Sequence, residues 1–394
     1  MLSVAKTAVR VSARLAARVQ VGVSSITKAD TSPVTVADFA SQAAVALILI
    51  RELHGIDAAR TLLSGGSVGG FSMLGEEDAS ALSGADAQST SLLACVVNAL
   101  ASALPPRAEF LDGALLTGGI LEGCAAAQSG WRGEDVLAAI SAGGGPDAPR
   151  STDAGFWVLD PIDGTKGFLR GGQWAVGLAF VSGGAPTLAA IACPPLGFPA
   201  CSLPRGGDAP SRAVDRMGSL LAAGAGVGAT CEYLWDDTAG GAGAAAGGAA
   251  TRLASDVSVS DADLVICGSY AHNAAGDLDN VATAMGGDVT RAPPIRIDSM
   301  AKYALVARRD ADAYVRLPQA NYYEKVWDHA PGSLIVQEAG GVVTDCLGSP
   351  LDFTVGANLA KNAGVVASAT AAIHARAVAA TRAHIEKRHG SGAM

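Results

Sequence analysis

No stretch of this chain is apolar for long enough to cross a membrane. The longest aliphatic run, Ala43 to Ile50, is bounded by Gln42 and Arg51; a span needs roughly 18 residues, so no membrane partner is expected. Cysteine is sparse as well: the 7 present are odd in number, scattered from Cys95 to Cys346 and without a C-x-x-C pair. That excludes a disulfide framework and a structural zinc site, and fits a reducing compartment. An excess of positive charge is also missing. The formal net charge of -9 argues against nucleic acid polymers as partners, because such binding depends on basic patches that displace counterions. An anionic substrate would have to be met by local cations.

No acid precedes Asp30. Lys6, Arg10, Arg14 and Arg18 recur at every fourth position, opposite an apolar stripe of Val4, Ala8, Val11, Leu15 and Val19. An Arg-rich amphipathic start of this kind occurs in organelle transit peptides, and equally in surface helices that lay one face on a core. Because the stripe runs almost into the first acidic motif, a surface helix and a cytoplasmic location are the expectation. The transit-peptide alternative would place the protein in a chloroplast or mitochondrion.

A length of 394 residues fits about two domains of about 150 to 200 residues each. Thr35 and Asp38 form an S/T-x-x-D/E capping box that opens a helix over Val36 to Leu53. Further on, the pattern predicts a short apolar strand before the acidic run Glu76-Glu77-Asp78 and a helix over Leu92 to Leu104. A strand over Phe156 to Leu159 follows, then a turn containing Asp160 and Asp163, then an alternating strand from Trp174 to Val181. From Leu264 onward strands and helices alternate, ending in a helix from about Ala369 to Arg388, which indicates sheets layered with helices. The expected division is an α+β domain over residues 1–185, carrying most of the acids, and an α/β domain over residues 186–394. A Gly and Ala tract over residues 239–250 reads as a disordered insertion, since it has almost nothing to bury.

The most informative cluster is Asp160-Pro161-Ile162-Asp163-Gly164-Thr165. Pro161 fixes its own backbone angle, and the turn can aim both carboxylates past the strand end, where they would repel unless a cation sat between them. No His or Cys is near, so the donors are all oxygen, which selects magnesium or manganese over zinc. The N–H groups of the turn opened by Gly164 and Thr165 could hold a phosphate oxygen. Taken alone, the segment is also an ordinary polar turn. Asp38, Glu76 and Asp328 likewise read separately as a capping-box acid, a solvated acid and a helix-dipole partner. Together with Asp160 and Asp163 they could supply a multi-metal site for phosphoryl chemistry.

The segments S-P-V-T-V-A-D ending at Asp38, G-E-E-D beginning at Gly75, W-V-L-D-P-I-D-G-T-K-G-F-L-R-G-G beginning at Trp157 and W-D-H-A beginning at Trp327 resemble the metal-site motifs of the inositol monophosphatase superfamily. They stand in the same order and at compatible spacing. The fuller forms, Gly164 to Gly172 and Tyr323 to Ala330, are similar to its 3′(2′),5′-bisphosphate nucleotidase branch. The resemblance implies a layered α/β sandwich, with an α+β amino-terminal domain, an α/β carboxy-terminal domain and the metal site between them. It implies two or three Mg2+ ions, one held by Glu76, Asp160 and the carbonyl of Ile162, a second by Asp160, Asp163 and Asp328. Asp38 and Thr165 would orient and deprotonate the attacking water, and Glu324 would support the ligands from behind. No covalent phosphoenzyme would be needed, and lithium would inhibit.

The same resemblance assigns Ser299, Lys302, Arg316 and His272, together with Gly164, Thr165 and Asp328, to a nucleotide. The implied substrate is 3′-phosphoadenosine 5′-phosphate, hydrolysed to AMP in support of sulfur metabolism, with the sulfated nucleotide as a further candidate. The residue types agree for Lys302 and Arg316, because a second phosphate that does not react needs fixed positive charge, and Arg offers bidentate hydrogen bonds. Their alternative is two solvated surface charges. That small molecule is the expected partner, and the chain is expected to act as a monomer. A rival is an inositol phosphate phosphatase of the same superfamily. A rival of another class, a non-catalytic nucleotide sensor, should have lost a metal ligand, and each one is present.

Overall fold

The computed structural model describes residues 1–20, 25–27, 33–113, 126–142, 154–197, 218–235, 250–254, 263–270, 276–354 and 356–390. The expected insertion over 239–250, apart from Ala250, lies outside them, as does His272. Helix α1 (Leu2–Val19) buries Ala5, Ala8, Val9, Val11, Ala13, Leu15 and Ala16, the behaviour of a surface helix with one face on a core. Its basic face is engaged too, since Lys6 Nζ and Arg10 Nη2 each lie 2.6 Å from a carboxylate oxygen of Glu232. A ribbon of β1 (Ser25–Thr27) and β2 (Pro33–Thr35) leads into α2 (Val36–His54), which is buried along most of its length. It opens on the capping box read from the sequence: Thr35 N–H donates to Asp38 Oδ2 at 2.9 Å and Ala37 N–H to Thr35 Oγ1 at 3.1 Å. Such caps are typically worth about 1 kcal/mol.

Helices α1 and α2 cover one face of a seven-stranded sheet. Its order is β3 (Met73–Gly75), β4 (Phe156–Asp163), β5 (Ala175–Ser182), β6 (Ala185–Cys193), β7 (Ser219–Gly224), β8 (Gly228–Tyr233) and β9 (Thr251–Leu253), parallel between β3 and β4 and antiparallel elsewhere. Alternation along each strand sorts the side chains. Trp157, Leu159, Val176, Leu178, Ala190 and Leu220 face the core under α1 and α2, while Ala175, Ala189, Ile191, Leu221 and Cys231 face a second core. The division expected after residue 185 falls at the start of β6, inside this sheet. Smaller helices, α3 (Ile56–Leu63), α4 (Ala87–Ala101), α5 (Arg107–Leu111), α6 (Ala126–Ser129) and α7 (Gly133–Ser141), pack against α2 or one another. α4 begins earlier than expected because Asp86 Oδ1 accepts from the N–H groups of Gln88 and Ser89, both at 2.9 Å.

The second core is filled by α10 (Ala301–Ala307) and α11 (Val326–Glu338). Beyond them lies a five-stranded sheet in the order β11 (Ile295–Arg296), β10 (Ile266–Gly268), β12 (Ala313–Arg316), β14 (Val365–Ser368) and β13 (Val342–Thr344). Its first three strands are parallel and the rest antiparallel. On its far face, Leu278 and Val281 of α9 (Asp277–Ala284) and Ile373 and Ala377 of α12 (Ala371–Gly390) meet Ile266, Val315 and Val366. The layers therefore run helices, sheet, helices, sheet, helices, which is the layered α/β sandwich expected. α11 is held from both sides, by β4 to β8 and by β13 and β14. No helix among the described residues is long and apolar enough to cross a membrane. Among the described cysteines, Cys95, Cys193, Cys231, Cys267 and Cys346 are free, and burial pushes Cys231 up to about 11 and Cys267 to about 12.

Candidate active site

Three acids from two layers meet at one point. Asp160 and Asp163 lie on β4 and Asp328 in the first turn of α11, and their carboxylate oxygens lie within 4.8 Å of one another. β4 does not stop at Leu159 as expected. It runs on through Asp163, and its register against β5 shifts between Asp160 and Asp163, around Pro161, which has no N–H to give to a ladder. In a regular strand two residues three apart face opposite sides; the irregularity lets both acids converge.

Burial gives the cluster its chemistry. Asp160 is 2% exposed, and burial, then the charges of Glu76, Asp163 and Asp328, push its carboxyl well above the ordinary range. Burial and Asp163 raise Asp328 in the same way. Asp163 rises to about 6, lifted by burial and held down by Lys302 and by the Met300 N–H that it accepts. Such crowding is costly without a counter-charge. Asp160 Oδ1 is also buried with no hydrogen-bond partner among the described residues. A spare buried acceptor, an all-oxygen donor set and surplus negative charge fit a hard divalent cation.

Glu76, directly after β3, adds to the field on each of the three acids. Its N–H donates to Leu159 O at 3.2 Å, which extends the pairing of β3 with β4. The next residue is clamped by a side chain of α2: Gln42 Nε2 donates to Glu77 O at 2.7 Å, and Gln42 Oε1 accepts from Glu77 N–H at 3.0 Å. The amide comes so near that a Cβ on Gly75 would stand 2.4 Å from Gln42 Oε1. Gln42 is one helical turn from Asp38, which is 1% exposed and accepts from Thr35 Oγ1 at 2.5 Å. The helix that carries Asp38 therefore also fixes the loop of Glu76.

After Asp163 the chain turns through Gly164 at φ +83°, where a Cβ would lie 3.0 Å from that of Ser299; both facts favour glycine. Gly164 precedes α8 (Thr165–Leu169), whose Thr165 Oγ1 donates to Ile162 O at 3.2 Å. Ser299 itself sits at φ +67°, uncommon for a residue with a side chain, and its Oγ accepts from Ala301 N–H at 3.2 Å. Arg170, just after α8, pairs with Asp298. The Asp163 turn and the Ser299 loop are thus packed and cross-linked to each other.

Lys302 and Arg316 are not solvated surface charges, being 4% and 6% exposed. Lys302 Nζ donates to Ile297 O at 3.4 Å and lies 5.5 Å from the Tyr314 ring centre, and burial lowers its pKa. Arg316 forms an ion pair with Glu324, and its Nη2 donates to the Tyr322 hydroxyl at 3.4 Å. Burial alone would raise the Glu324 carboxyl; the hydrogen bond from His329 and the charge of Arg316 hold it at about 2. Glu324, Asp328 and His329 form a second close group, which puts Glu324 behind Asp328. Sequence reasoning missed Gln42, Met300, Tyr303, Tyr322 and His329. Of these, His329 inside W-D-H-A and Met300, between the assigned Ser299 and Lys302, lay in segments already singled out.

Residues 125–386 match the model of the Inositol monophosphatase family. A 3'(2'),5'-bisphosphate nucleotidase of Oryza sativa is 35% identical over 378 residues, 93% of this chain and 89% of that protein. One from Emericella nidulans is 36% identical over 349 residues, 87% of this chain and 86% of that protein. Among solved structures, the extragenic suppressor protein suhB from Bartonella henselae superposes with a TM-score of 0.53 at 18% identity, covering 96% of this chain and 97% of that one. CysQ from Bacteroides thetaiotaomicron gives 0.50 at 18% identity, covering 93% and 96%. These two likenesses show the fold.

Proposed function

The chain belongs to the inositol monophosphatase family, and from that premise we propose that it removes the 3′-phosphate of 3′-phosphoadenosine 5′-phosphate, using two or three magnesium ions, and leaves AMP. One observation carries the reading. The buried Asp160 and the half-buried Asp163 and Asp328 lie close enough to buried Lys302 and Arg316 for both cations to lower the pKa of Asp163. Opposite charges side by side suit a substrate with one phosphate that reacts at the metals and a second that is only held.

Glu76, Asp160, Asp163, Asp328 and the carbonyl of Ile162 would hold the ions, which when bound neutralise phosphate charge and acidify water. The chain's own residues do the rest. Thr165 Oγ1 directs its proton to the Ile162 carbonyl, so toward a water molecule it acts as acceptor. Asp38, oriented by Thr35, takes the water's proton as general base. Lys302 and Arg316 grip the non-reacting phosphate by charge-assisted hydrogen bonds, and Ser299 and His272 complete the nucleotide site.

Phosphate release from 3′-phosphoadenosine 5′-phosphate should require magnesium, stop with EDTA, and exceed release from inositol 1-phosphate at least about tenfold in kcat/KM. Equal rates on the two substrates would favour an inositol phosphate phosphatase. Lys302→Met is expected to lower kcat/KM for the bisphosphate by about ten- to a hundredfold, mainly through KM, since a hydrogen bond to a charged group is worth about 1.5 to 3 kcal/mol. Turnover of adenosine 3′-phosphate, which lacks the held phosphate, should change by less than about threefold. Similar losses on both would move Lys302 to the reacting phosphate.

A further inference from the structure

Behind Asp328 a line of polar side chains runs through the packed interior. The Tyr303 hydroxyl lies 2.7 Å from His329 Nδ1, and His329 Nε2 lies 3.0 Å from Glu324 Oε2. Glu324 pairs with Arg316, which reaches Tyr322. Tyr303 and His329 are each 1% exposed and Glu324 is 4% exposed. Each ring nitrogen therefore has one polar partner, and in the neutral ring one of them donates and the other accepts. The ionised Glu324 can only accept, which assigns the proton to Nε2. In the neutral ring Nδ1 then accepts from the Tyr303 hydroxyl, which satisfies all three groups.

We propose that His329 is a positioning residue for substrate selection: with Tyr303 it fixes Glu324 in the orientation that pairs with Arg316, and so fixes the guanidinium that grips the non-reacting phosphate. The inference rests on the reading of Arg316 given above. Arginine has many rotamers, and a guanidinium frozen before the substrate arrives loses less freedom on binding. The Glu324 carboxylate lies against Nε of the guanidinium and Nη2 gives one proton to Tyr322, so an anion is met by the remaining N–H groups of the two Nη atoms. A Glu324 free to rotate would release the guanidinium. The effect should therefore be confined to ligands that carry the second phosphate, although His329 touches none of them.

The test compares His329→Met, which fills the space without a donor, with His329→Gln, whose amide N–H replaces that of Nε2. The wild type is measured first. If it shows no preference for 3′-phosphoadenosine 5′-phosphate over adenosine 3′-phosphate, the reading of the phosphate subsite fails, whatever His329 does. Given that preference, His329→Met should raise KM for the bisphosphate about tenfold with kcat within about threefold, and leave KM for adenosine 3′-phosphate unchanged. AMP keeps the held phosphate, and its calorimetric binding without metal should weaken by a similar factor. His329→Gln should restore both values to within about threefold of wild type. Equal losses on the two nucleotides, or a Gln variant no better than Met, would reduce His329 to packing. Should His329→Met fail to fold, Tyr303→Phe decides: an increase in KM of about threefold for the bisphosphate alone supports the proposal, and an unchanged KM overturns it.

Discussion

Asp160→Asn protein is expected to fold, to melt no lower than wild type without divalent metal, and to hydrolyse the bisphosphate at least about a thousandfold more slowly, since bound metal supplies several kcal/mol of charge stabilisation. The two halves of this result have one cause. Asp160 is buried among Asp163, Asp328 and the field of Glu76, so without a cation its charge repels its neighbours, and an amide of the same shape removes that repulsion. With a cation the same charge is what binds it, and no nearby group replaces it. Magnesium should therefore stabilise wild type by mass action, about 2.7 kcal/mol at a hundredfold excess over Kd, and stabilise the variant hardly at all. Thermal melts with and without magnesium, alongside phosphate release, measure both. Turnover retained in folded variant, or an unaltered magnesium response, would remove Asp160 from the metal site.

Asp38→Asn should separate proton transfer from metal binding. The amide oxygen can still accept from Thr35 N–H and Oγ1, the bonds that Asp38 Oδ2 makes, so the opening of α2 should survive. The acidic cluster is untouched, so the magnesium-induced rise in melting temperature should match wild type. kcat should fall by roughly 10² to 10⁴, the usual range for a lost general base. A folded variant that has lost its magnesium response would instead put Asp38 among the ligands.

Much of the site was legible because its local chemistry is written in short segments. Thr35 and Asp38 stand at capping-box spacing and form that cap. The acids of D-P-I-D-G-T and W-D-H-A meet as their types required, and the layered fold followed from the alternation of strands and helices. What stayed hidden depends on partners distant in the chain. Nothing local announces that Arg316 and Glu324 neutralise each other inside the protein, because exposure follows from packing and not from residue type. Pro161 argued for a turn after Leu159, yet the strand continues, since a register shift accommodates proline where a regular ladder would not. Val326 opens α11, and Lys325 before it offers no side-chain cap that could have marked the place in the sequence. Gln42, midway along an apolar helix, gave no sign that it fastens a loop.

That fastening ties two working parts to one body. α2 carries Asp38 in its first turn and holds the Glu76 loop one turn later through the two hydrogen bonds of Gln42, so a thermal displacement of the helix carries the proposed base and the proposed ligand loop together. Their separation is then less sensitive to motion than the position of either. The side-chain amide also takes both backbone groups of Glu77, two residues past β3, which is the border strand of the large sheet. Backbone groups that a bare sheet border offers to a foreign strand are taken at that point by a helix.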